Sequence, residues 1–172
     1  MSKKINIKEM LPAFLSVMLL VIVDQFTKHL AIIKLKDNEP FVLIKNVFEL
    51  RYLENRGAAF GIMQNQIMFF VIITLVMVIG ILYLYFKCPS EKKYSPIKIC
   101  MIFIIAGAFG NLIDRVFRGF VVDFFYFSLI NFPIFNVADI YVTVSFFVLV
   151  LLLLFYYKEE ELDMFFKKEE RR

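Results

Sequence analysis

Four long apolar stretches alternate with polar connections along the chain, at about residues 10–33, 67–86, 97–117 and 139–157. Each stretch is close to the ~20 residues that a helix needs to cross a hydrocarbon core of ~30 Å. The second, "IMFFVIITLVMVIGILYLYF", contains no charged residue. The pattern predicts an all-α membrane protein, a bundle of four transmembrane helices in a single domain over residues 1–172.

The composition favours a membrane protein over a soluble one. Apolar residues make up 60% of the 172 residues, and 22 residues are Phe. A soluble domain of this length cannot bury so many, because most of its surface must remain wet. A cleavable signal peptide is the alternative for the first stretch, since Lys3, Lys4 and Lys8 precede it. The stretch is too long and no small-x-small cleavage site follows it, so we expect a retained first helix.

The basic residues predict the orientation of the bundle. Twelve of the 20 Lys and Arg residues lie at the N-terminus, in the 87–98 connection and in the tail after residue 157, and the positive-inside rule assigns these segments to the cytoplasm. Both termini are then cytoplasmic, and the 34–66 and 118–138 connections lie outside. Membrane lipids are sufficient as partners for the net charge of +4, and no segment of the sequence resembles a nucleic-acid-binding module. We expect the mixed-charge tail to be solvated.

The longer outer connection, 34–66, predicts a small extracytoplasmic β cap on the bundle. Its segment "PFVLIKNVFELRYL" is rich in β-branched and aromatic residues and alternates in part, which indicates one or two strands. The segment "ENRGAAFGIMQNQ" follows, where Gly57 and Gly61 would let the backbone approach a ligand or a helix closely. An ordinary loop with turn glycines fits this segment equally well.

Several classes of chemistry lack the residues they need. Cys88 and Cys100 lie near the predicted cytoplasmic ends of their helices, where a disulfide is not expected. His29 is the only histidine and has no His/Cys cluster around it, so we predict no metal site. No serine has the setting of a Ser–His–Asp triad, and Ser128 has no lysine nearby for a Ser–Lys pair. We therefore expect no metal and no organic cofactor.

The remaining polar groups within the apolar stretches converge near the outer leaflet. The first helix runs outward and carries Asp24 and Lys28 in its outer half, four residues apart on one face. The third also runs outward and ends in "AGAFGNLIDR", whose small residues would let a neighbouring helix approach. Asn111, Asp114 and Arg115 share one face there. Asp24–Lys28 and Asp114–Arg115 could each be a structural pair or part of a functional site.

Asp123 and Asp139 differ from these two pairs, because Arg118 and Arg115 are the only cations near them in the sequence. Two adjacent carboxyl groups share a proton, so that one acts as base and the other as acid, as in aspartic peptidases. We expect Asn136 to cap the fourth helix, which puts Asp139 at the third helical position and favours its ionised form, while Asp123 holds the proton. A small proton- or ion-coupled transporter and a non-catalytic helical subunit are the alternatives.

Five segments in order resemble the motifs of the lipoprotein signal peptidases, also called signal peptidase II. They are "VDQFTK", "NRGAAFG", "GNLIDR", "VVDF" and "FNVAD". The resemblance implies an intramembrane aspartic endopeptidase of the bacterial cytoplasmic membrane, with its active site near the outer leaflet. Such an enzyme removes signal peptides from diacylglyceryl-modified prolipoproteins and cuts just before the lipidated cysteine.

The resemblance also implies roles for individual residues. Asp123 and Asp139 match the catalytic pair. Substrate-binding positions match Asn55, Gly57, Asn111, Arg115 and Asn136. Supporting positions match Asp24, Lys28 and Asp114, and we expect a structural role for Asp114.

Overall fold

The computed structural model describes residues 7–57 and 63–166. Within these residues it contains five α-helices and one antiparallel sheet with the strand order β1-β2-β3. The helices are α1 (Ile7–Leu35), α2 (Ile67–Lys87), α3 (Ser95–Arg118), α4 (Val137–Leu151) and α5 (Glu159–Phe166). The strands are β1 (Phe41–Ile44), β2 (Phe48–Asn55) and β3 (Val121–Tyr126).

Four helical segments in the described part of the chain are long and apolar enough to cross a membrane, which confirms the predicted bundle with a small β cap. They are Met10–Leu35, Ile67–Lys87, Lys92–Arg118 and Val137–Tyr156, the last of which includes a π-helical turn after α4. In the third segment 50% of the most apolar stretch is buried inside the protein, whereas in the other three segments only 6–11% of that stretch is buried. α3 is therefore the centre of the bundle, and the other three helices leave most of their apolar surface for lipid.

Two glycines of α3 let the neighbouring helices come close, as the small residues of "AGAFGNLIDR" predict. A Cβ atom on Gly107 would lie 2.5 Å from the carbonyl oxygen of Ala138 in α4. A Cβ atom on Gly110 would lie 2.5 Å from Oδ2 of Asp24 in α1. Only glycine permits these approaches, so α1, α3 and α4 meet tightly near the sheet. We call this end of the bundle, where the β sheet lies, the sheet end.

The third strand lies in the 118–138 connection, whereas we predicted strands only in the 34–66 connection. Its residues 121–126 pair antiparallel with β2, with Leu53 opposite Asp123 and Asn55 opposite Val121. α3 ends at Gly119 in the left-handed conformation (φ 75°), and this reversal directs the chain into β3. Asp123 is therefore held in a sheet rather than in a loop.

The tail is also more ordered than predicted at its beginning. Residues 159–166 form α5, and Lys93 forms an ion pair with Glu161. The Tyr157 hydroxyl donates to the carbonyl oxygen of Lys93 at 2.9 Å, and the rings of Tyr157 and Tyr94 stack at 5.6 Å. These contacts hold the start of the tail against the bundle end opposite the sheet. Residues 167–172 of the predicted solvated tail lie outside the described residues.

Candidate active site

One residue, Asn136, connects Asp123 in β3 with Asp139 in α4. Its Nδ2 donates to Oδ1 of Asp123 at 2.6 Å, and its backbone N–H donates to Oδ2 of Asp139 at 3.0 Å. Asp123 is only 1% exposed. The two carboxyl groups are therefore held beside each other by hydrogen bonds to a shared neighbour.

Asn136 is also the N-cap of α4, as the sequence predicts. Its Oδ1 accepts from the backbone N–H of Asp139 at 3.0 Å, and Asp139 accepts from the backbone of Asn136 in return, which completes a capping box. Asp139 is thus at the third helical position, as predicted. The helix dipole and the fixed backbone donor both favour a negative charge there.

Both aspartates line a cavity of about 440 Å³. Four of the five predicted substrate-binding residues line it with them, whereas Asn136 is fully buried and contacts the aspartates from behind. The polar lining residues are Asn55, Asn111, Arg115, Asp123, Asp139 and Thr143. The apolar wall, as we call it, consists of Phe132, Pro133, Ile134, Phe135, Ile140 and Val144. The cavity thus combines a small polar floor with a large apolar side, as ligand sites commonly do.

Asn55 reaches the cavity from the end of β2. Its Nδ2 donates to Oδ2 of Asp123 at 2.9 Å, and its Oδ1 accepts from the backbone N–H of Gly57 at 3.0 Å. Gly57 therefore orients Asn55 as well as lining the cavity. Residues 58–62, including Gly61, for which we predicted a close backbone approach, lie outside the described residues.

Arg115 lines the cavity without the partner that we expected for it. Its guanidinium carbon lies 5.1 Å from the ring centroid of Phe70 in α2. Asp114 instead forms ion pairs with Lys28, at 3.1 Å, and with Arg118. The hypothesis of an Asp114–Arg115 pair is therefore wrong, because Asp114 is paired with Lys28 and Arg118 instead.

Behind the polar floor lies a buried network centred on Lys28, whose side chain is 0% exposed. The Lys28 ammonium group is 2.9 Å from Oδ2 of Asp24, 3.1 Å from Oδ2 of Asp114 and 2.9 Å from Oδ1 of Asn111. Asp24 also accepts from the backbone N–H of Ala138 at 3.0 Å. The Asp24–Lys28 pair predicted from the sequence is confirmed, and it extends to α3 and α4.

Three further contacts of this network were not predicted. The Gln25 amide donates to the carbonyl oxygen of Gly110 at 3.0 Å and to Asp114 at 3.2 Å. Asp114 also accepts from the backbone N–H of Val122 in β3 at 3.1 Å, which supports its expected structural role. The signal for Gln25 was present, since it is a polar residue within an apolar stretch and belongs to "VDQFTK".

The surroundings of Asp123 favour its protonated form. Burial and the neighbouring Asp139 carboxylate raise the pKa of Asp123 to about 7, and the donors Asn55 and Asn136 oppose that rise. A carboxyl group that holds a proton near neutral pH beside a second carboxylate can act as an acid while its partner acts as a base. Within the described ranges, no group of three or more His, Cys, Asp and Glu side chains is arranged to hold a metal ion.

Comparisons with known proteins agree with this geometry. A family model described as Signal peptidase (SPase) II matches residues 16–155. A lipoprotein signal peptidase of Caldanaerobacter subterraneus subsp. tengcongensis is 44% identical over 138 residues, which cover 80% of this chain and 92% of that protein. The corresponding protein of Brevibacillus brevis is 44% identical over 136 residues, which cover 79% and 90%.

Solved structures are similar over nearly the whole chain. One bacterial membrane enzyme, solved by the in meso method at 2.3 Å resolution, has a TM-score of 0.74 and 32% identity, and the match covers 100% of this chain and 99% of the other. A second, solved by the same method at 1.9 Å, has a TM-score of 0.72 and 33% identity over 91% of this chain. These matches give no support to the transporter alternative. The chain belongs to the signal peptidase II family, whose members are aspartic-type peptidases.

Proposed function

We propose that this chain removes signal peptides from diacylglyceryl-modified prolipoproteins, that it cuts just before the lipidated cysteine, and that Asp123 and Asp139 are its catalytic pair. The observation that carries the proposal is the junction at Asn136, which holds two buried carboxyl groups beside each other at one cavity. Its relatives named lipoprotein signal peptidases support the choice of substrate class.

In the proposed reaction the two carboxyl groups have different tasks. Asp139, ionised beneath the donors Asn111 and Asn136, takes a proton from a water molecule as that water attacks the scissile carbonyl carbon. Asp123 gives its proton to the carbonyl oxygen, which forms a tetrahedral intermediate. The C–N bond then breaks as the leaving nitrogen takes a proton from Asp139, and Asp123 recovers its own proton from a hydroxyl of the intermediate. The pair thus returns to its starting state without a cofactor.

The cavity walls support a lipid-modified peptide as substrate. Ile140 and Val144 are 38% and 55% exposed on the side of α4 that lines the cavity, so acyl chains beside the scissile bond could follow this face of α4 into the bilayer. Asn55 and Arg115 lie on the polar side of the same cavity and are suited to hold the peptide backbone. We place this site near the outer leaflet, where a translocated lipidated cysteine would reside.

The test compares Asp123→Asn and Asp139→Asn with the parent protein on a diacylglyceryl-modified prolipoprotein and on its unmodified precursor. An amide keeps the shape of the carboxyl group but cannot exchange a proton, so each variant should lose at least ~1,000-fold in cleavage rate. Asp37→Asn is the matched control, because Asp37 lies in a turn after α1 with φ 60°, a conformation that Asn tolerates. Parent-like cleavage by either dyad variant, at equal amounts of folded protein, would refute the catalytic assignment.

A further inference from the structure

The Lys28 ammonium group uses all its hydrogen-bonding capacity on three acceptors. An ammonium group has three N–H donors and no acceptor, and the oxygens of Asp24, Asp114 and Asn111 all lie within 3.1 Å of Lys28 Nζ. Lys28 does not line the active-site cavity. Any influence that Lys28 exerts through hydrogen bonds therefore passes through one of these three neighbours.

Asn111 is the neighbour that contacts the dyad. Its Oδ1 accepts from Lys28 at 2.9 Å, while its Nδ2 donates to Oδ1 of Asp139 at 2.8 Å. Because the ammonium group can only donate, it fixes which end of the Asn111 amide is the oxygen. A rotated amide would direct its NH₂ group at Lys28 and its oxygen at the Asp139 carboxylate, and both contacts would be repulsive.

The same amide oxygen also orients Asn136. Nδ2 of Asn136 donates to Oδ1 of Asn111 at 3.1 Å and to Oδ1 of Asp123 at 2.6 Å. A chain of hydrogen bonds thus leads from Lys28 through two amides to both carboxyl groups. In such chains one strong donor polarises and orients the groups that follow it.

The net charge around Lys28 indicates that orientation, rather than a free charge, is what it supplies. The carboxylates of Asp24 and Asp114 face it from α1 and α3, and Arg118 pairs with Asp114 as the second cation. These four groups sum to a formal charge of zero. Arg115, Asp123 and Asp139 are the other charged groups nearby, and they line the cavity.

We propose that Lys28 is a positioning residue for the dyad, which acts by fixing the Asn111 amide so that Asn111 donates to Asp139 and Asn136 donates to Asp123. This inference rests on the proposed catalytic role of the two aspartates. A purely structural ion pair would affect only the stability of the fold. A positioning role for Lys28 predicts in addition an effect on the chemical step, and this effect depends on Asn111.

The test variant must remove Lys28 without leaving a buried carboxylate unpaired. Lys28→Met alone would leave Asp24 and Asp114 with too little positive charge and would destabilise the fold. Lys28→Met combined with Asp24→Asn keeps the net charge of the network unchanged. Asp114→Asn is the control, because it weakens the same network but leaves the Lys28–Asn111 and Lys28–Asp24 contacts in place.

We expect the Lys28→Met/Asp24→Asn protein to lose about 100-fold in kcat, as small misplacements of reacting groups do, with a KM within a few-fold of the parent value. The variant keeps the backbone donor of Asn136 but no longer holds the Asn111 amide in place, so the Asp139 carboxylate takes up a proton more readily and the acidic limb of the kcat–pH profile should move to higher pH. Asp114→Asn should lower the melting temperature but leave kcat within a few-fold and the pH profile unmoved.

A double-mutant cycle with Asn111→Ala supplies the decisive readout. If Lys28 acts through Asn111, the protein that combines Lys28→Met, Asp24→Asn and Asn111→Ala should have nearly the same kcat as Asn111→Ala alone. Fully additive losses, or a kcat within about three-fold of the parent while Asp123→Asn is inactive, would overturn the inference. Active Asp123→Asn protein would instead refute the proposed dyad, so the two failures can be told apart.

Discussion

Asp123 and Asp139 accept hydrogen bonds from different kinds of donor. Asp139 accepts from the backbone N–H of Asn136 and from the Asn111 amide, whereas Asp123 accepts from two side-chain amides, those of Asn55 and Asn136. The backbone donor belongs to a helix cap and cannot turn away, while side-chain amides can rotate. This difference supports the proposed roles of Asp139 as the base and Asp123 as the acid.

The raised pKa of Asp123, about 7, makes a prediction for stability. The folded protein binds a proton at Asp123 that the unfolded chain releases above about pH 4. This contribution to stability is complete below the unfolded pKa and is lost as the pH rises through the folded one. Asp123→Asn removes the titration, so the melting temperature of the variant minus that of the parent should increase from pH 4 to pH 8.

Thermal unfolding in detergent at several pH values measures this difference. Asp37→Asn is again the control, since Asp37 is exposed, and its difference from the parent should change little over the same range. A difference for Asp123→Asn that stays constant or decreases as the pH rises would contradict a buried proton at this position.

Several contacts of the site could be predicted from the sequence because they are local. Asn136 and Asp139 are three residues apart, which is the spacing of a capping box, and Asp24 and Lys28 are four apart, which is one helical turn. The contact of Asn55 with Asp123 joins residues 68 positions apart, and it depends on how β2 and β3 align. No local pattern contains that information.

At the scale of elements, β3 shows why a strand can be overlooked. The segment "VVDFFY" has the β-branched and aromatic residues of a strand, yet a strand of six residues is stable only beside a partner. That partner, β2, lies more than sixty residues earlier in the chain. The strand matters for the site, because it fixes the backbone of Asp123 and directs its carboxyl group towards Asn55.

The contact between α3 and its neighbours predicts that Gly107 and Gly110 cannot be replaced by Ala. The added Cβ atoms would lie 2.5 Å from the Ala138 carbonyl oxygen and 2.5 Å from Oδ2 of Asp24, respectively. Such overpacking typically costs ~1–3 kcal/mol of stability. Since Ala138 precedes Asp139, we also expect Gly107→Ala to reduce cleavage, which would be measured together with the melting temperature.

Gly80 in α2 provides the matched control for this prediction. A Cβ atom there would meet nothing within 4 Å, so Gly80→Ala should leave stability unchanged or raise it by up to ~1 kcal/mol. Equal effects of Gly80→Ala and Gly107→Ala would mean that close packing at the sheet end is not what requires glycine.

At the scale of the whole molecule, the buried polar network and the basic connection between α2 and α3 lie at opposite ends. The buried carboxylates, amides and Lys28 gather at the sheet end, whereas Lys87, Lys92, Lys93 and Lys98 lie at the other end of the bundle. The apolar pattern was sufficient to predict the four spans, because each helix must be apolar wherever it meets lipid. It could not predict α5, in which only half of the residues are apolar and whose position depends on contacts with Lys93 and Tyr94.

The distribution of basic residues predicts the topology, and reporter fusions can test it. Fusions at residue 90 and at the C-terminus should report the cytoplasm, and a fusion at residue 45, in the turn between β1 and β2, should report the outside. Measuring all three in one strain controls for expression. A cytoplasmic signal at residue 45 together with an external C-terminus would put the proposed catalytic pair at the wrong leaflet for a translocated substrate.

The division of the cavity into a polar floor and an apolar wall has a consequence for drug resistance. An inhibitor that bonds to Asp123, Asp139 and Asn111 would contact groups that also hold each other in place, so mutations that remove those contacts would damage the enzyme as well. Escape mutations would then arise in the apolar wall, at residues such as Phe132, Ile140 or Val144, where a change of size alters binding but not proton transfer. An inhibitor that makes few contacts with the apolar wall would therefore be affected by the fewest resistance mutations.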